Sequence, residues 1–394
     1  MMLYLNQLGL ICSLGHTHAE VTQQLYAAAN TLTYTDRYSP GRVLPLGCIS
    51  EKISLPTFDE LPLRDRSRNN QLALAALAQI RPAVDAAIAR FGAHRIGVVI
   101  GTSTSGIAEG EAAIRLHALT GKLPKQFHYG QQELGSPATA IAMTLGICGP
   151  AYAHSSACAS SAKALASAAR LIKMGVCDAV ITGGVDSLCA FTVAGFSALE
   201  SVSDTRCNPL SVNRNGINIG EGAALFLMSS QPATVALRGW GESSDAHHIS
   251  APDPAGTGAH IAIEKALARA EISAAQIEYI NLHGTATLQN DAMECAVIHA
   301  LFGDRVPVSS TKPFTGHALG AASAIEAGLC WLAMQDENKT GLLPPHCWDD
   351  MFDPALAKLN IVATGVKLGR PLRWALSNSF AFGGTNAALI LARE

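Results

Sequence analysis

The feature that most constrains this chain is a repeated switch of hydrophobic period. Short β-branched or apolar runs alternate with longer Ala- and Leu-rich stretches whose apolar residues recur every three or four positions. Arg95–Gly101 (RIGVVIG) has the continuous apolar character of a buried strand. Asn70–Phe91, just before it, sets Leu72, Ala76, Ile80, Ala83 and Ala87 on one helical stripe, with Pro82 as a possible kink. The same spacings predict a helix over Ser160–Met174 and then a strand over Asp178–Gly183 (DAVITG). Further on they predict helix Ala259–Ala270, strand Glu278–Leu282 (EYINL), helix Ala321–Met334 and strand Arg373–Ser377. Alternation of this kind is the signature of an α/β fold, a mostly parallel sheet covered by helices on both faces.

Two stretches occur twice in outline. RIGVVIG followed by Thr-Ser-Thr-Ser has a counterpart in EYINLHG followed by Thr-Ala-Thr, and DAVITGGVDS has one in WALSNSFAFGG. Each half thus runs strand, polar turn, helix, strand, Gly-rich turn, and the polar turns of both are expected to meet in one crevice. The expected halves are 1–235 and 236–394, joined near Gln231–Gly239. No linker long enough to separate independent domains lies between them.

Composition then excludes whole classes of function. Only 15% of the 394 residues are charged, against about 25% in a typical soluble chain, so a large core or subunit interface is expected. Twenty-eight basic and 31 acidic residues give a net charge of −3, without the basic excess of a nucleic-acid binder. No stretch approaches the roughly 20 uninterrupted apolar residues of a membrane span. The apolar run Leu8–Leu14 has no Lys or Arg before it, so it lacks the basic start of a signal peptide, and a cytoplasmic location is expected. Ten cysteines without metal-ligand or Cys-x-x-Cys spacing read as reduced, mostly buried side chains, and no metal site is expected.

Four segments carry candidate chemistry. In His154-Ser-Ser-Ala-Cys158-Ala-Ser-Ser-Ala-Lys163 a strand, Ala151–Ser155, passes through small residues into a helix with Cys158 at the turn. A cysteine there meets the positive end of the helix dipole, which favours the nucleophilic thiolate; an inert cysteine on a tightly packed helix is the alternative. In Leu282-His283-Gly284-Thr285-Ala286-Thr287 a histidine ends a strand and opens into a polar turn, with Asp291 and Glu294 following. Ser310-Thr311-Lys312-Pro313-Phe314-Thr315-Gly316-His317 places a Lys among nearly uncharged neighbours, which predicts an internal ion pair with a group such as Glu294. The last, Asn378-Ser-Phe-Ala-Phe382-Gly-Gly-Thr-Asn386, is a strand end breaking into a flexible turn.

Taken in order, these four segments resemble one family over essentially the whole chain: the β-ketoacyl-acyl-carrier-protein synthases of the Cys-His-His type, condensing enzymes of fatty-acid and type II polyketide synthesis. Gly216-Ile-Asn-Ile-Gly-Glu-Gly222 matches a further family segment. The resemblance implies the thiolase fold, with duplicated halves in αβαβα layers. It implies that Cys158 accepts an acyl chain from a carrier-protein thioester, that His283 and His317 stabilise the malonyl-derived enolate, and that Lys312 and Glu294 hold the histidines by ion pairing. It implies an oxyanion hole at the backbone N–H groups of Cys158 and Phe382, phosphopantetheine contacts at Thr285 and Thr287, and gating by Phe382. No cofactor is implied beyond the phosphopantetheine of the acyl carrier protein. Carrier proteins are acidic, and Arg64, Arg66 and Arg68 match the family's docking region, although a solvated basic face is the alternative.

The chain departs from the family pattern at Asn208-Pro209-Leu210-Ser211, where Arg-Pro-Phe-Asp is common, and at Gly101-Thr-Ser-Thr-Ser-Gly106. By position Thr104 is expected beside the acyl pocket, leaving room for a less saturated or oxygenated chain. These departures point towards a dedicated pathway such as aryl-polyene synthesis. The expected partner is a second copy or a chain-length-factor-like subunit, met along the sheet edge near Ala151–Ser155. Two other assignments remain at this level: the silent chain-length subunit, opposed by the intact Cys158, His283 and His317, and a thiolase-like acyltransferase, opposed by the lack of a second motif cysteine near the C-terminus.

Overall fold

The computed structural model describes residues 1–57 and 60–394. In the first half the strands Ala151–His154, Ile96–Gly101, Ala179–Asp186, Gly222–Ser229 and Tyr4–Ile11 lie side by side in that order; the first three run parallel and the last two alternate direction. The second half repeats the arrangement. Pro307–Ser309, Tyr279–Asn281 and Trp374–Ala381 are parallel, and Thr385–Arg393 and Val235–Ser244 alternate; the short Asn360–Ile361 adds an outer strand. The segments matched in sequence occupy equivalent places: Ile96–Gly101 answers Tyr279–Asn281, and Ala179–Asp186 answers Trp374–Ala381. The two halves touch edge to edge where Tyr4 pairs with Ala236. Much of the expected joint at Gln231–Gly239 is therefore strand, because Val235 onward pairs with Thr385–Arg393.

Layering follows from which faces are apolar. Ser160–Lys173 and Ala322–Ala333 pack on each other between the halves, and all of Ala322–Ala333 is buried. A helix buried around its whole circumference and almost wholly apolar suits such a central layer. Ser161 Oγ and Ser323 Oγ, 2.7 Å apart, stitch the two helices together, and Ser323 Oγ also accepts the Ala162 N–H at 2.9 Å. Close approach needs Gly101: a Cβ there would stand 2.3 Å from Ser161 N. Outside, Arg68–Phe91 covers the first half and Thr257–Ala270 the second, completing αβαβα.

Arg68–Phe91 is capped by Ser67, whose Oγ accepts the Asn70 N–H at 3.2 Å, and it runs unbroken through Pro82. By length and mean hydropathy (1.4) it is apolar enough to cross a bilayer, which uninterrupted-run reading of the sequence passed over. Its stripe of Leu72, Ala73, Ala76, Leu77, Ile80 and Val84 is spent on the sheet instead.

Candidate active site

Cys158 sits on the elbow between the Ala151–His154 strand and the Ser160–Lys173 helix. Ala157 takes the left-handed conformation (φ 46°), a strained choice for a residue with a Cβ that costs on the order of 1–3 kcal/mol. Ser160 holds the turn: its Oγ donates to Ala157 O at 2.6 Å and accepts the Ser156 N–H at 2.8 Å. The strain aims Sγ into the crevice while leaving Cys158 only 4% exposed.

His283 follows the Tyr279–Asn281 strand. Glu294, on the helix Leu288–Phe302, accepts the N–H groups of His283 and Gly284 at 2.8 and 2.7 Å. The Lys312 ammonium donates to His283 Nδ1 at 3.3 Å, to the His283 carbonyl, and to Glu326 at 2.5 Å. Because Nδ1 accepts, the His283 proton resides on Nε2. His317 is fixed by backbone bonds, its N–H to Asn218 O at 2.6 Å and its carbonyl to the Gly220 N–H at 2.9 Å. Its Nε2 lies 3.0 Å from Cys158 Sγ, and its Nδ1 is buried without a partner among the described residues. The two imidazoles meet edge to face at 5.4 Å. Sγ and one ring nitrogen of each histidine lie within 4.8 Å of one another, a spacing that could by itself hold a metal ion.

Burial dominates the electrostatics. It pushes the Cys158 thiol up to about 11, against the pull of Lys312 and of the Phe382 and Cys158 backbone N–H groups. The resting group is therefore a thiol, and the thiolate expected from the helix end needs a base: desolvation outweighs the dipole. Burial first and Lys312 second hold both His283 and His317 well below the usual imidazole range, so both rings are neutral. Burial also raises Glu294 to about 7, although its two backbone donors oppose the shift.

A cavity of about 50 Å³ opens beside Sγ, lined by Phe196, Thr285, Thr287 and Phe382 among others. Thr285 and Thr287 bond to each other at 2.9 Å at its rim. Phe382 lies on the Gly-rich turn, where Gly383 has φ 80°, and its ring packs on Phe196 at 5.5 Å.

Three sequence expectations need correction. Lys312 pairs with Glu326, not Glu294, whose carboxylate is taken up by backbone N–H groups. Thr104 is not among the residues lining the cavity; its hydroxyl donates to Asp186 at 2.9 Å, in a cradle that also holds the N–H groups of Ser103, Thr104 and Gly320. Arg68 points inward, where it forms a two-pronged pair with buried Glu221 at 2.5 and 2.8 Å. Arg64 stays half exposed beside Glu133 at 2.9 Å, and Arg66 donates to Leu61 O at 2.7 Å. The sequence reading missed Glu326, Asp186 and Phe196. Glu326 left a signal: it is the lone carboxylate in an otherwise apolar helix.

Comparison with known proteins agrees with this geometry. Residues 48–233 match the beta-ketoacyl synthase N-terminal domain, and residues 234–347 match its C-terminal domain. Nodulation protein E of Rhizobium meliloti (strain 1021) is 35% identical over 310 residues, 75% of each chain. The 3-oxoacyl-[acyl-carrier-protein] synthase 2 of Staphylococcus aureus (strain COL) is 31% identical over 361 residues, 85% of this chain and 84% of that one. Among solved structures, a chain of the complex of the ketosynthase ApeO with its chain length factor ApeC from Xenorhabdus doucetiae superimposes with a TM-score of 0.94 at 44% identity, covering 100% of this chain and 98% of that one. The chain belongs to the β-ketoacyl synthase family and is an acyl-transferring condensing enzyme, a β-ketoacyl-ACP synthase on the thiolase fold.

Proposed function

We propose that Cys158 is the nucleophile of a decarboxylative condensation in which His283 and His317 work as neutral hydrogen-bond donors. The single observation that carries this reading is Sγ placed 3.0 Å from His317 Nε2, with His283 fixed by Lys312 in the tautomer that bears its proton on Nε2. Sγ, facing the His317 Nε2–H as acceptor, attacks the acyl carbonyl of the carrier-protein thioester, and its own proton goes to the departing pantetheine thiolate. The result is an acyl-Cys158 intermediate. Malonyl-carrier protein then loses CO₂; the electron pair of the broken C–C bond forms an enolate whose oxygen accepts the imidazole N–H bonds. The enolate carbon attacks the acyl carbonyl, the C–S bond to Cys158 breaks, and the departing thiolate takes a proton from water to restore the thiol.

The backbone N–H groups of Cys158 and Phe382, both of which act on Sγ, would form the oxyanion hole. Thr285 and Thr287 would receive the phosphopantetheine, and Phe382 with Phe196 would gate the acyl chain. Lys312 and Glu294 are positioning residues. No metal or organic cofactor enters this scheme, and the Lys312 ammonium against His283 Nδ1 opposes a metal cation there. Arg64 and Arg66 are left as the candidate docking cations.

The enzyme would act as a cytoplasmic dimer along the open edge of Ala151–His154, its two halves dividing at 235/236. The departures at Asn208–Ser211, with the likeness to the ApeO–ApeC complex, support a dedicated type II system making aryl-polyene or other unsaturated chains beside a chain-length factor. Condensation assays with malonyl- and acyl-carrier protein test the scheme. Cys158→Ala and His317→Ala should each lose at least about 100-fold in rate, and retained condensation in Cys158→Ala would overturn it.

A further inference from the structure

His346 lies outside every motif that carries candidate chemistry in the sequence, yet it is bonded to two of the segments that build the site. It is buried, its own N–H donates to Val362 O at 2.8 Å, and its ring meets Trp348 edge to face at 5.3 Å. Both ring nitrogens are engaged. Nδ1 accepts the Ser310 N–H at 3.0 Å, and Nε2 faces the Pro209 carbonyl at 2.9 Å. An amide N–H only donates and a carbonyl only accepts, so the ring is a neutral imidazole with its proton on Nε2. Burial agrees, pushing it down to about 4.

The two partners matter through what hangs on them. Ser310 Oγ donates to the carbonyl of Gly284, the residue after His283, at 2.7 Å, and it accepts the Lys312 N–H at 3.4 Å. The Lys312 ammonium in turn holds His283 Nδ1 and the His283 carbonyl. On the other side, Leu210 donates its N–H to Asp291 at 2.9 Å, and Asp291 also accepts the Ala286 N–H at 3.2 Å, inside the turn that carries Thr285 and Thr287. The imidazole therefore braces the departure at Asn208–Ser211 against the strand end that delivers Lys312.

We infer that His346 is a positioning residue for the decarboxylation step: by fixing Ser310 it sets where Lys312 and the Gly284 carbonyl hold the His283 ring. A reacting group keeps its geometry only when the residues behind it are themselves locked by hydrogen bonds, and here the lock is the lone pair on His346 Nδ1. Cys158 hangs on a different element, the elbow before Ser160–Lys173, whose turn is held by Ser160. Loss of the imidazole acceptor should thus disturb His283 and spare the thiol. The inference deepens the proposed scheme and rests on the role given there to His283.

Asparagine and glutamine separate the two nitrogens: an Asn carboxamide places an acceptor near Nδ1, and a Gln carboxamide places a donor near Nε2. Two rates are measured on the intact chain, CO₂ release from malonyl-carrier protein and alkylation by iodoacetamide mapped to the Cys158 peptide. His346→Gln should lower kcat for CO₂ release at least about tenfold with KM little changed, and His346→Asn should recover it to within about threefold of wild type. Alkylation of Cys158 should stay within about twofold of wild type in both. Wild-type CO₂ release in His346→Gln, or equal losses in the two variants, contradicts the inference and leaves the scheme standing. A loss of CO₂ release matched by an equal change in alkylation reports disturbed packing and contradicts it too. A wild-type chain that is alkylated at Cys158 but releases no CO₂ overturns the role of His283 and the inference together. Should His346→Gln not fold, Ser310→Ala keeps the N–H, removes the Oγ link and must show the same split; wild-type CO₂ release in that variant contradicts the inference.

Discussion

At the scale of single residues, burial does more than sequence motifs suggest. Cys158 is held as a thiol near 11, so alkylation by iodoacetamide should be roughly a hundredfold slower at neutral pH than that of an ordinary thiol, and should keep rising tenfold per pH unit beyond pH 9. A rate that levels off below pH 8 would contradict the assignment. The Lys312–Glu326 pair gives a second test. Lys312→Met leaves a carboxylate buried alone and should cost about 3–5 kcal/mol, read as a lowered Tm, while Lys312→Met/Glu326→Leu should recover most of that stability. Activity should stay low in both, because His283 Nδ1 loses its donor. The triad was legible because Gly, Ser and Thr crowd around each member. The partner of Lys312 was not: Glu294 was the carboxylate the motifs offered, and only packing shows that backbone N–H groups already occupy it while Glu326 faces the ammonium. Thr104 and Arg68 failed for the same reason, each turned towards a buried carboxylate that lies far away in the chain.

At the scale of elements, the helix Leu288–Phe302 matters through one carboxylate. Glu294 is raised from 4.5 to about 7, so its stabilising contribution is complete below about pH 4.5 and is lost as pH climbs through 7. Wild type should lose up to about 3 kcal/mol between pH 5 and 8 from this group, and Glu294→Gln should flatten that slope while starting less stable. Thermal melts across that range check it; parallel slopes would remove Glu294 from the account. Ser323→Ala leaves the Ala162 N–H without its acceptor and Ser161 Oγ with the Ala324 N–H alone, and should cost about 1–3 kcal/mol. Several helices and parallel strands were readable from period alone, as Arg95–Gly101 and Asp178–Gly183 show, whereas helices such as Ile107–Thr120 and Leu288–Phe302 were passed over. The antiparallel strands Tyr4–Ile11 and Val235–Ser244 were not, because their runs are interrupted by Gly or polar residues and their identity comes from pairing across the molecule.

At the scale of the whole molecule, duplication explains why one crevice holds all the chemistry. Equivalent strands of the two halves end in polar turns, and the turn after one supplies Cys158 while those after the others supply His283 and Phe382. Docking of the carrier protein belongs to this scale. Arg64→Glu/Arg66→Glu should raise KM for acyl-carrier protein with kcat little changed, whereas Arg68→Glu should lower Tm, since it sets a second carboxylate against buried Glu221. Equal KM in the double variant would move docking elsewhere. The most direct test of the account is intact-protein mass spectrometry after incubation with acyl-carrier proteins, saturated and conjugated or aryl-primed. Wild type should gain the mass of one acyl group, mapped to the Cys158 peptide, and Cys158→Ala should gain none; an adduct that persists in Cys158→Ala, or no adduct on wild type with any chain, would contradict it.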